Sequence, residues 1–96
     1  MIARLSGLTI GALTLTPTFD PTVTEYTATT TNNTNTVTAT PAEGVTAAVK
    51  VNDEDHTSGT AATWETGENT VTVECTGDDM TATTYTVTVT KEEQGG

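Results

Sequence analysis

The densest run of chemically capable side chains in this 96-residue chain is Asp53-Glu54-Asp55-His56. Clustered carboxylates in a loop offer the hard oxygens that Ca²⁺ takes, roughly six to eight at a time. Asp53, Glu54 and Asp55 are therefore the candidate Ca²⁺ ligands. A Ca²⁺ loop needs a longer fixed frame than this run provides, so the expected reading is an ordinary solvated turn without bound metal. A single imidazole at His56 beside carboxylates lacks the geometry of a transition-metal site. Nucleophilic catalysis needs a nucleophile, a base and an orienting group in one place. The chain has one histidine and one cysteine, Cys75, and Cys75 falls on the inward face of a strand, where a thiol behaves as a small hydrophobe. The expectation is a protein that is not an enzyme and holds no cofactor. A lone cysteine also excludes a disulfide framework within one chain.

Threonine is the other recurring chemical group, at 28 positions. Thr14, Thr16 and Thr18, then Thr34, Thr36, Thr38 and Thr40, and finally Thr84, Thr86, Thr88 and Thr90 present hydroxyl and methyl groups in ranks. Such ranks on a flat face match an ice or glycan lattice, but sheet twist spoils long flat arrays. The β propensity of threonine already accounts for the rows. Asn32-Asn33-Thr34 fits the glycosylation sequon.

Thirteen acids stand against Arg4, Lys50 and Lys91, for a net charge of −10. That surface repels phosphate backbones and anionic headgroups, which argues against nucleic-acid partners and membrane-surface binding. It favours solubility and discourages pairing of sheet edges. No stretch is apolar enough to insert directly into a membrane, and Met1 to Ile10 lacks the build of a signal peptide.

The elements that position these groups are strands. Thr70 to Cys75 and Thr84 to Thr90 alternate strictly, with Val71, Val73 and Cys75 on one face and Tyr85, Val87 and Val89 on one face. Gly77, Asp78 and Asp79 lie between them as a turn signal, so the region from Gly67 to Thr90 reads as a long antiparallel hairpin. A hairpin is marginal alone and needs a second sheet over its apolar face. Leu5, Leu8 and Ile10 open a first strand broken at Gly11; Leu13 and Leu15 resume, and Pro17 and Phe19 close it. This is the pattern of a sandwich edge that bends from one sheet toward the other. Tyr26 and Ala28 carry a strand from Thr24 to about Thr31, followed by an asparagine-rich hairpin loop at Asn32 to Asn35. Val37 and Ala39 carry a third strand that stops at Pro41. Val45, Ala47, Val49 and Val51 share one parity, leaving Thr46, Ala48 and Lys50 to solvent. Asn52 to His56 reads as a polar loop, and Ala62 and Trp64 as a weak short strand, with the Trp64 indole N–H aimed at a carbonyl near the rim. These runs predict one all-β domain, a seven-stranded antiparallel immunoglobulin-like β-sandwich over residues 5–91. A short N-terminal segment (1–4) and a flexible tail (92–96) flank it.

Five pieces in order carry a family likeness: Leu15-Thr16-Pro17-Thr18-Phe19-Asp20-Pro21 with the following Tyr26, Val49-Lys50-Val51-Asn52, Gly67-Glu68-Asn69-Thr70-Val71, and Tyr85-Thr86-Val87-Thr88-Val89. Together they resemble the bacterial cadherin-like β-sandwich domain family, an immunoglobulin-like group. Two departures bear on local loop shape: Asp53 follows Asn52 where the family often has glycine, and Trp64 stands where an aliphatic residue is usual. The calcium motifs of true cadherins are absent. Some immunoglobulin-like surface modules carry Lys-to-Asn cross-links in the core, but the parity of Lys50 turns it to solvent.

The resemblance implies a non-catalytic structural or interaction module. Such domains recur in exported bacterial surface proteins, and similar domains decorate phage virions, so the expected location is a virion or the extracellular cell surface. The expected partners are a protein scaffold of the virion or envelope, or neighbouring copies. The alternative is a module binding carbohydrate or another surface ligand in an exported multi-domain protein. The candidate interaction loops hold Asn32, Asn33 and Asn35, and Asp53, Asp55 and His56. Sugar platforms need exposed rings, and by parity Phe19, Tyr26 and Tyr85 point inward, which favours the first reading.

Overall fold

The computed structural model describes residues 2–11, 13–16 and 18–92. Among these the strands are β1 Leu5–Ile10, β2 Glu25–Thr30, β3 Thr34–Pro41, β4 Val45–Val51, β5 Glu54–His56, β6 Thr60–Thr63, β7 Gly67–Gly77 and β8 Thr83–Lys91. A three-stranded sheet, β1-β3-β6, faces a five-stranded sheet, β2-β8-β7-β4-β5. The chain is all-β, a two-sheet sandwich with eight strands among the described residues rather than seven. The additional strand is β5, which the polar sequence Glu54-Asp55-His56 did not announce.

The β7–β8 hairpin is the centre of the larger sheet. Its register runs from Gly67 opposite Lys91 to Cys75 opposite Thr83, and Val71, Val73, Cys75, Tyr85, Val87 and Val89 are fully buried. β4 lies antiparallel on its other side, with Val49 opposite Val73 and Val51 opposite Val71. Against this apolar face the smaller sheet sets Leu5, Leu8, Ile10, Val37, Ala39 and Ala62.

β1 solves a phase problem in the sequence. Leu5 and Leu8 differ in parity, yet both are buried. A register shift between Leu5 and Gly7 lets both face the core, because a bulge inserts one extra residue and resets the alternation. After Gly11, which has a φ of 55°, the chain leaves β3, and Thr16 exchanges hydrogen bonds with Thr27 of β2. The first edge therefore does switch from one sheet to the other. Pro17 as the residue closing that edge lies outside the described residues, as do Met1 and the tail from residue 93.

Two expectations need correction. The sheets are not wholly antiparallel: β2 runs parallel to β8, with Glu25 opposite Thr86 and Thr30 opposite Lys91. A parallel pair needs a crossover connection, and here most of the domain between β2 and β8 serves as that crossover, so no helix is required. Nor is Asn32 to Asn35 a hairpin loop. β2 and β3 belong to different sheets, so the segment crosses between layers, and Asn35 already lies within β3.

The N-terminal segment is less open to docking than its position in sequence implies. Ala3 is fully buried and its N–H donates to the Thr81 carbonyl at 2.9 Å.

Candidate interaction surfaces

The acidic cluster begins in a tight turn. Asn52 and Asp53 have φ angles of 51° and 67°, and they connect Val51 of β4 to Glu54 of β5 in register. Positive φ at both central residues is the signature of a type I′ hairpin, whose twist suits the flanking strands. Asp53 thus occupies a left-handed position, one that glycine takes without strain. Asn52 is fixed through its backbone N–H and both ends of its carboxamide. Its N–H donates to the Thr70 carbonyl at 2.8 Å, its Oδ1 accepts from the Thr70 N–H at 2.9 Å, and its Nδ2 donates to Asn69 Oδ1 at 3.0 Å.

Strand alternation then divides the acids. Asp55 lies opposite Lys50 on the outward face, while Glu54 and His56 lie opposite Val51 and Val49 on the inward parity. Asp53, Glu54 and Asp55 therefore do not converge, and among the described residues no three His, Cys, Asp or Glu side chains group as a metal site. His56 Nε2 sits 2.9 Å from the Thr60 carbonyl. A carbonyl only accepts, so Nε2 carries the proton there and is not a free ligand.

Glu54, Asp55, His56 and Glu65 line an open cleft of about 530 Å³ between the edge strands β5 and β6, floored by Val51 and Ala62. Its lining does not include Cys75. Cys75 is fully buried on β7, and burial pushes its thiol above the ordinary 9.0, which disfavours the thiolate that nucleophilic chemistry would use.

The three asparagines of the other candidate loop also separate. Asn32 and Asn33 are exposed at the inter-sheet crossing. Asn35 instead turns inward, where its Oδ1 accepts the Trp64 indole N–H at 2.8 Å and the Thr30 hydroxyl at 3.4 Å. Trp64 is buried and its N–H meets a carboxamide oxygen, close to the carbonyl expected from sequence. The space for Asn35 comes from Gly11: a Cβ there would come within 2.7 Å of Asn35 Nδ2.

The residue that sequence reasoning undervalued is Asn69. It acts through its side chain, which is fully buried. Its Oδ1 accepts from the Glu65 N–H at 2.9 Å, and its Nδ2 donates to the carbonyls of Glu65 at 2.8 Å, Gly67 at 3.2 Å and Val89 at 3.3 Å. Buried polar atoms need such partners, and here they tie the bend before β7 to β8 and, through Asn52, to the β4–β5 turn. The signal was available: Asn69 shares the inward parity of Val71 and Val73, as Asn35 shares that of Val37 and Ala39. Gly67, at the start of β7, has a positive φ of 102°.

The opposite end of the sandwich is closed by rings. Tyr85 is fully buried along its length and its hydroxyl donates to the Pro21 carbonyl while accepting the Leu5 N–H at 3.3 Å. Tyr26 donates to the Asp20 carbonyl at 2.6 Å and accepts the Asp20 N–H at 2.9 Å. Phe19 stacks on Tyr26 with ring centroids 5.7 Å apart. The Asp20 carboxylate accepts from the Thr22 N–H and hydroxyl, which hold its pKa below 3.8.

These anchors fall on the pieces that make up the ordered likeness described above: Phe19-Asp20-Pro21, Asn52, Gly67-Glu68-Asn69 and Tyr85. The family model of the cadherin-like beta sandwich domain matches residues 10–92. This chain belongs to that family. Comparison with curated proteins finds no match. As a cadherin-like domain it is a structural or interaction module, of a kind that is generally non-catalytic. The match starts at Ile10, the last residue of β1, so the bulged edge strand lies almost wholly ahead of it.

Proposed function

We propose that this cadherin-like domain is a non-catalytic display or spacer module of a phage particle or bacterial cell surface, docked to a protein scaffold or to neighbouring copies. The observation that carries this reading is the placement of the aromatic residues. Tyr26, Trp64 and Tyr85 are buried and Phe19 packs half-buried on the tyrosines. With these rings committed to the core, the surface offers a sugar no stacking platform. The net charge of −10 supports an exposed, soluble role and argues against nucleic acid as a partner.

Asn32, Asn33 and Asp53 are the docking candidates. All three lie at the end of the sandwich where β8 finishes, since Asn33 accepts from the Trp64 N–H and Asn52 pairs with Thr70. Binding to a panel of bacterial surface glycans, read beside light-scattering mass over a concentration series with and without Ca²⁺, tests the reading. The expected result is no saturable glycan binding and a mass indifferent to Ca²⁺. Saturable glycan binding lost on changing Asn32, Asn33 and Asp53 to Ala would overturn it in favour of a carbohydrate-binding module.

A further inference from the structure

The chain leaves the sandwich from opposite ends. Ile2 bridges to Thr81, just ahead of the start of β8, whereas the Glu92 N–H donates to the Thr30 carbonyl at 2.8 Å, where β2 and β8 both finish. The molecule is elongated, with principal extents of 51 × 24 × 17 Å. From one end to the other runs β8, paired on one side with antiparallel β7 over nine register positions and on the other with parallel β2 over six. β1 starts at the N-terminal end and pairs antiparallel with β3.

Tension applied between residues 2 and 92 therefore draws β8 along its own axis toward one end. It draws β1 along its axis toward the other. Once β1 has slid off β3, the pull passes through residues 13–16 to β2, which is drawn along its axis against β8. Ladder hydrogen bonds lie across the strands. An axial pull loads all the rungs together, whereas a pull that spreads two strands from one end loads them singly. We infer that the domain is a force-bearing link in which β8, held between β2 and β7, resists tension in shear. The inference goes beyond display, because it concerns the path of force through the fold wherever the module is mounted.

The β2–β8 ladder supplies its own control. The Thr24 carbonyl accepts from the Thr86 N–H and the Thr30 carbonyl from Glu92, while Thr27 exchanges both its bonds with Thr16 on the other side. By strand alternation Tyr26 and Ala28 turn their backbone groups to β8, and Thr29, like Thr27, turns its groups away. Ala28→Pro removes a rung of the shear ladder and Thr29→Pro does not.

The experiment is single-molecule force spectroscopy on the full chain held in two geometries. One tether runs from the N-terminus to the C-terminus. The other joins Thr31→Cys to Glu92→Cys and peels the same ladder from its Thr30–Lys91 rung; Cys75 is buried and stays out of the coupling. The expected result is a short early extension as β1 slides off β3, then a main rupture at several-fold higher force end to end than in the peeling geometry. Ala28→Pro should lower the end-to-end force and Thr29→Pro leave it unchanged. Equal forces in the two geometries would overturn the inference, and that comparison holds even if Ala28→Pro fails to fold.

Discussion

At the end of the sandwich where β8 finishes, carboxamides hold the turns; at the other end, aromatic rings and their hydroxyls do. Asn69, Asn52 and Asn35 bind backbone groups and the Trp64 indole directly, while Tyr85 and Tyr26 grip two consecutive carbonyls, Pro21 and Asp20, beneath Phe19. Carboxamides give directional bonds at the cost of burying polar atoms. Rings give apolar burial first and direction only at the tip. The carboxamide end should therefore be the less tolerant of substitution.

Asn69→Ala is the sharpest way to break this contrast. It removes the acceptor of the Glu65 N–H and of Asn52 Nδ2, and the side-chain donor to the Glu65, Gly67 and Val89 carbonyls. A loss of about 2 to 4 kcal/mol in urea unfolding is expected. Tyr85→Phe keeps the ring and removes only the hydroxyl, so about 1 to 2 kcal/mol is expected from the same measurement. Equal losses for the two variants would erase the contrast.

The ring end also has an alkaline signature. Burial raises the Tyr85 phenol above 10.0, with the Leu5 bond opposing, and raises the Cys75 thiol above 9.0. Both groups stay neutral in the folded chain while the unfolded chain ionises first. Their stabilisation is complete below those ordinary values and falls as pH rises through them toward the folded ones. Asp20 has the opposite sign: the stabilisation from its lowered pKa is present above 3.8 and is lost as pH falls through its folded value. Urea midpoints should be flat near neutrality and drop at both extremes. In Tyr85→Phe with Cys75→Ala the alkaline drop should shrink; an unchanged drop would assign it to other groups.

The smallest effect is expected at Asp53. Its φ of 67° is left-handed, where glycine is unstrained, so Asp53→Gly should be neutral or stabilising by about 0.5 to 1 kcal/mol. A loss would mean that the Asp53 carboxylate does more than fill the turn.

How much of this was legible depended on how local the cause was. The β7–β8 hairpin was plain because valine alternates with threonine across both strands, and a period of two has one structural meaning. β5 was hidden because Glu54-Asp55-His56 has no strand preference of its own; the type I′ turn and pairing with β4 create it. The parallel β2–β8 pair joins residues about sixty positions apart, and no short-range pattern encodes such pairing. The bulge in β1 was written in the spacing of Leu5 and Leu8 around Gly7, as a break in parity rather than a motif. Of the candidate site, the residue types were legible but their convergence was not: Asp55 and Glu54 part to opposite faces, and Asn35 turns away from Asn32 and Asn33 into the core.

The central claim is that the end carrying Asn32, Asn33 and Asp53 is a rigid extension of the core. Amide hydrogen exchange tests it most directly, on the Glu65 and Thr70 N–H groups that donate to Asn69 and Asn52. The account predicts that both exchange only with global unfolding, as slowly as Val71 and Val87 in the central hairpin. Exchange as fast as at Asp79, in the β7–β8 turn, would contradict it and make that end a mobile loop cluster.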